Sequence, residues 1–146
     1  PVDLPRGRAL FQRTCGQCHK LYGEGGEIGP DITGSNRNNL DYLLTNMLDP
    51  NAEIPNDYRT TILHTKDNRV LVGVIRRSEG QSVTIATPAE VVTVAKRDVA
   101  AIDPQDFSMM PEGLVLALKV DELRDLVAYL RGSRQVALPE KPGKEQ

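Results

Sequence analysis

Cys15-Gly16-Gln17-Cys18-His19 is the stretch on which the reading of this chain turns. It holds both cysteines of the sequence and one of its two histidines. A disulfide across so short a loop would be strained and would stabilise little. The cysteines therefore point to chemistry at one place. C-x-x-C-H is the attachment signature of c-type haem, and the spacing has a physical reason. Two sulfurs must reach the two vinyl groups on one edge of a porphyrin, and the next residue then turns its imidazole to the iron from one face. One haem c is expected, covalent through Cys15 and Cys18, with His19 as an axial ligand. Two rivals weigh less. A thioredoxin-like pair would sit in a βαβ pattern, and none surrounds this stretch. A zinc site needs four ligands, or three plus water. Only His64 remains beyond the motif, so carboxylates would have to be recruited without a recognisable pattern.

Working outward, Pro5 to Cys18 reads as a helix, with Pro5 in the first turn where a missing N–H costs nothing. Gly7, Phe11 and Cys15 recur every four residues on one face. A glycine inside a helix usually has a packing reason. The partner is expected to be a last helix near Lys119 to Arg131, where Val120, Leu123, Leu126, Val127 and Leu130 form an apolar stripe with Tyr129 beside it, and Gly132 is the stop signal. A shorter helix is expected over Asn39 to Leu48.

The pattern Gly7-x-x-x-Phe11-x-x-x-Cys15-x-x-Cys18-His19, with Leu126-Val127-Ala128-Tyr129-Leu130 near the end, resembles the class I c-type cytochromes. The resemblance implies that Gly7, Phe11 and Tyr129 make the crossing of the first and last helices. Ile28-Gly29-Pro30-Asp31-Ile32 looks like the family's Gly-Pro-x-Leu segment, with Ile32 in place of the leucine. By that likeness the carbonyl of Pro30 accepts the N–H of the proximal histidine, which fixes the tautomer and raises ligand basicity. Read without the likeness, Gly29-Pro30 is a turn.

The family takes its second axial ligand from a methionine directly before a proline, in a loop ahead of the last helix. Ser108-Met109-Met110-Pro111-Glu112-Gly113-Leu114 is the matching loop and selects Met110, with Met109 as the competitor one residue away. Met47 lies on an apolar helical stripe and reads as core. His64 sits in a strand-like run and is the other competitor, since imidazole also suits iron. Arg37 is the candidate donor to a haem propionate, because a guanidinium matches a carboxylate in fork geometry. Asn38, Asn39, Tyr42 and Tyr58 are further donors. Leu21, Ile32, Leu40, Leu43, Leu44 and Phe107 are the candidate apolar wall.

The segment from Tyr58 to Asp103 has a different texture. Thr60–Thr65, Val70–Ile75, Ser82–Ala86, Val91–Val94 and Val99–Ile102 are short β-branched runs separated by turn signals. They predict a small antiparallel sheet or SH3-like barrel inserted into a mainly α cytochrome c fold, α+β overall. The division expected is a haem domain over 1–57 and 104–134, a β insert over 58–103, and a disordered tail or linker over 135–146. Arg76-Arg77 and Lys96-Arg97 read as a solvated face.

With this insert, and with Leu48-Asp49-Pro50-Asn51-Ala52-Glu53-Ile54 ahead of it, residues 6–131 resemble a haem-binding domain family described from Planctomycetes and Verrucomicrobia. Its members commonly form the C-terminal part of large membrane-associated dehydrogenases. The resemblance implies a dehydrogenase domain or another redox partner protein, and a periplasmic or otherwise extracytoplasmic compartment.

Composition is consistent with these readings. With 39% apolar and 26% charged residues, the chain can bury about 68–70% of its unfolded surface, and a formal net charge of -2 argues against nucleic acid as main partner. No apolar run approaches the roughly 18 residues of a membrane span. Pro1-Val2-Asp3-Leu4-Pro5-Arg6 reads as a mature N-terminus or as a domain cut from something longer. The expected function is electron transfer rather than catalysis. Two other hypotheses stay open: a haem enzyme or gas sensor with a labile or open sixth position, and a docking module in which the insert binds a partner.

Overall fold

The computed structural model describes residues 1–141. Helix α1 spans Leu4–Thr14, and the side chain of Asp3 caps it by accepting the Arg6 N–H at 2.9 Å. It stops four residues before the expected end. The carbonyl of Phe11 accepts the N–H of both Cys15 and Gly16, so the helix unwinds there and residues 15–19 form a tighter turn. After the turn come the short strands β1 (Lys20–Leu21) and β2 (Glu24–Gly25). Helix α2 spans Leu40–Leu48, capped by Asn39.

Helix α3 spans Val120–Leu130 and crosses α1. Gly7 is at the crossing: a Cβ there would lie 2.2 Å from the carbonyl oxygen of Asp125 and 2.8 Å from Cβ of Tyr129. The Phe11 and Tyr129 rings meet at 5.8 Å between centroids. Asp125 is fully buried at the same crossing and accepts the Asp3 N–H at 3.0 Å and Arg6 Nε at 2.5 Å. The Asp3 N–H, followed by the Arg6 guanidinium, holds its carboxyl below the ordinary 3.8. Leu10, Leu21, Leu43, Met47, Leu126 and Leu130 complete this core, each worth roughly 1.5–3 kcal/mol when fully buried. Val120, expected on the apolar stripe, is exposed at the helix start.

Within residues 59–108 lies a five-stranded antiparallel sheet: β3 (Arg59–Thr65), β4 (Val70–Glu79), β5 (Ser82–Ala86), β6 (Val91–Ala95) and β7 (Val99–Ser108), in the order β6-β5-β4-β3-β7. The first half of β4 pairs with β3 and its second half with β5, with a register shift between Ile75 and Arg77. The sheet folds over at that point, so Leu63 of β3 packs in one cluster with Val83, Ile85 and Val94. A mainly α fold, the expectation from sequence, is therefore overturned. With three α-helices and 26% helix among the described residues beside this sheet, the fold is α+β. The sheet is larger than the β-branched runs suggest because β4 continues to Glu79 and β7 to Ser108. Asp103, Pro104 and Asp106 disfavour strand, yet pairing with β3 extends β7 through them. Pro104 is tolerated because β7 is an edge strand.

The sheet meets the loop that follows the Cys15–His19 turn in a small cluster. Ile28, Val74 and Ala86 are buried together, with Cys18, Tyr58 and Met109 packed around them. Of the expected tail, Gln135 and Val136 lie on the helical core: Gln135 Oε1 accepts the Tyr129 hydroxyl at 2.8 Å, and the Val136 carbonyl accepts from Arg8 at 2.7 Å. Residues 142–146 of that segment are outside the described residues.

Candidate functional site

The turn that follows α1 gathers the residues singled out in the sequence. The N–H groups of Cys18 and His19 both donate to the carbonyl of Cys15, at 3.1 and 2.9 Å. The loop over residues 29–32 runs back along it: Gly29 N–H donates to the Cys18 carbonyl at 2.8 Å, and Ile32 N–H to the Lys20 carbonyl at 2.9 Å. Between these two anchors, Nδ1 of His19 lies 2.8 Å from the carbonyl oxygen of Pro30. A carbonyl only accepts, so Nδ1 carries the proton and the Nε2 lone pair is the ring's free donor. Gly29 makes room for this arrangement. A Cβ at that position would lie 2.7 Å from Cε1 and 2.9 Å from Nδ1 of His19.

The two thiols stand in surroundings that favour the neutral form. Burial, with a smaller contribution from Cys18, pushes the Cys15 thiol up to about 11, and burial raises Cys18 as well. A reactive dithiol needs the opposite shift. Nor do three His, Cys, Asp or Glu side chains converge into a metal-binding group anywhere among the described residues.

The methionine loop leaves the end of β7 and runs to α3. Met110 packs against the helical core that also takes Cys15, and Met109 packs against the Ile28–Val74–Ala86 cluster that also takes Cys18. The Met110 N–H donates to Ser108 Oγ at 3.1 Å. Met47 is buried in the helical core. His64 is half-buried in β3, paired with Val70 and Ala101. Of the expected apolar wall, Leu21 and Leu43 are buried, Ile32 and Leu44 half-buried, and Leu40 and Phe107 exposed. Arg37 is committed elsewhere than to open solvent. Its Nη1 donates to the carbonyls of Leu130 and Gly132 at 2.6 and 2.7 Å, and its Nη2 to that of Thr33 at 3.0 Å. A cation there complements the negative end of α3.

Tyr22 belongs to the site and was not singled out in the sequence. It turns the chain from β1 to β2 at φ 52, a conformation costly for a side-chain-bearing residue. The position is held from three sides: its N–H donates to Thr33 Oγ1 at 3.0 Å, its hydroxyl to the Gly132 carbonyl at 2.7 Å, and Arg37 lies over its ring at 5.2 Å. Tyr22-Gly23 is only a weak turn signal, so the sequence held little to flag it.

Haem c fits the residues present. Cys15 and Cys18 would take its two vinyl groups and His19 Nε2 its iron, and the Pro30 carbonyl already fixes the required tautomer. No helix among the described residues is long and apolar enough to cross a membrane. No curated protein matches the chain. A family profile, cytochrome C oxidase, cbb3-type, subunit III, matches residues 2–67. The match takes in α1, the Cys15–His19 turn, the Pro30 loop, α2 and β3, and stops short of the methionine loop and α3. It supports a c-type cytochrome domain, with the haem c and electron-transfer role that such a domain implies.

Proposed function

We propose that the chain carries one electron at a time between a redox partner protein and an acceptor, through a single haem c. The observation behind this reading is the imidazole of His19, held by the Pro30 carbonyl inside the Cys15–His19 turn with Nε2 left as donor. Haem, when bound, supplies the one-electron chemistry. Cys15 and Cys18 would tether it as thioethers, and His19 and Met110 would hold its iron. Met110 is chosen over Met109 because it directly precedes Pro111, as in the class I cytochromes. Met with His raises the reduction potential. Arg37 serves the end of α3 in this reading. The donor is a dehydrogenase domain, as the resemblance to the Planctomycetes and Verrucomicrobia family implies, and the compartment is extracytoplasmic.

Visible spectra of oxidised and reduced protein, made in a host that matures c-type cytochromes, test the reading. A low-spin spectrum with the weak far-red band of sulfur–iron ligation is expected. A high-spin spectrum, with fast stoichiometric binding of carbon monoxide to the reduced protein, would favour a haem enzyme or gas sensor. Absence of covalent haem would overturn the proposal.

A further inference from the structure

We infer that Asn51 is a positioning residue for the methionine loop, its carboxamide holding both ends of the loop closed and so setting how readily Met110 leaves the iron; this rests on the His19/Met110 reading above. Asn51 follows α2 directly, after the buried Pro50, in a turn closed by the Ala52 N–H on the Asp49 carbonyl at 3.1 Å. Its Oδ1 accepts the Ser108 N–H at 2.8 Å, and its Nδ2 donates to Glu112 Oε1 at 2.9 Å. Met109, Met110 and Pro111 are the residues between those two anchors. Apart from strand pairing at Arg59, no other hydrogen bond among the described residues ties residues 108–112 to another element.

The two bonds are unequal. The Ser108 bond is partly buried, so its loss strands a backbone donor, whereas the Glu112 bond is exposed and exchanges readily with water. A carboxamide accepts at one anchor through its oxygen and donates at the other through its nitrogen. Asp would keep the first bond and set a second carboxylate against Glu112.

The test is a titration of the ferric holoprotein with imidazole, which competes with the methionine sulfur, followed by the far-red band. Asn51→Ala is expected to bind imidazole about tenfold more tightly than wild type, since the loop opens more easily. Asn51→Asp should fall between the two, and Glu112→Gln, which keeps a carbonyl acceptor, should stay near wild type. Leu63→Ala, in the core of the sheet, lowers stability without touching the loop and should leave the imidazole midpoint unmoved. Equal midpoints for wild type and Asn51→Ala would overturn the inference, as would an equal shift in Leu63→Ala. Should Asn51→Ala fail to mature, hydrogen exchange of the wild-type Ser108 amide decides: protection supports the inference, and exchange at the free-peptide rate overturns it. If wild type itself lacks the far-red band, the His19/Met110 reading fails and takes this inference with it; a band present with unmoved midpoints fails Asn51 alone.

Discussion

At Gly29 a single methyl group decides whether the proximal imidazole can sit where it does. Gly29→Ala would place a carbon 2.7 Å from His19 Cε1, and neither the ring, tied to Pro30, nor the loop, tied to Cys18, can yield freely. A loss of about 1–3 kcal/mol is expected, read as a lower thermal midpoint of the holoprotein. Pro30→Ala keeps the carbonyl and should cost less. Asp125 contributes to acid stability. Its folded-state value lies below the unfolded one, so its contribution is complete above about pH 4 and fades as pH falls through the lower folded value. Asp125→Asn should flatten the acid limb of a plot of urea midpoint against pH. Of these residues, Gly29 and Pro30 were legible because a short pattern carries them. Asp125 was not, because one acidic residue in a helix reads as solvated face until its partners Asp3 and Arg6, far away in sequence, are known.

Among the elements, the α1–α3 crossing sets two effects against each other. Gly7→Ala gains about 1 kcal/mol of helix propensity. It also drives a methyl into the Asp125 carbonyl, a backbone atom that cannot move without shifting α3. The clash should win, with net destabilisation of about 1–3 kcal/mol in urea unfolding. The helices could be read from the sequence because an apolar residue every three or four positions announces them. Strands β3 to β6 could be read because β-branched residues cluster between turns. The second half of β7 could not. Asp103-Pro104-Gln105-Asp106 has no strand character of its own, and pairing with β3 supplies it. Ending the last strand at Ile102 also hid how directly the sheet delivers the methionines.

For the whole molecule, the contact of Ile28 with Val74 and Ala86 joins the sheet to the loop that follows the Cys15–His19 turn, at the edge of the candidate site. Ile28→Ala and Val74→Ala should each destabilise, and a double-mutant cycle should give a coupling of about 0.5–3 kcal/mol. Two independently unfolding halves would instead give additive effects. The outline of a cytochrome domain with a β insert could be anticipated, but its balance could not, because strand lengths depend on partners far along the chain. The crossing of α1 and α3 also bears on how such a chain is made. Its two helices come from opposite ends of the described residues, so during synthesis the first lacks the helix it crosses until the last has emerged. Until that crossing closes, the turn over residues 15–19 would lack part of the packing that half-buries Cys15 in the finished fold. Long-range closure thus gives the chain a time window: chemistry at the cysteines can be finished before folding shuts the door on it.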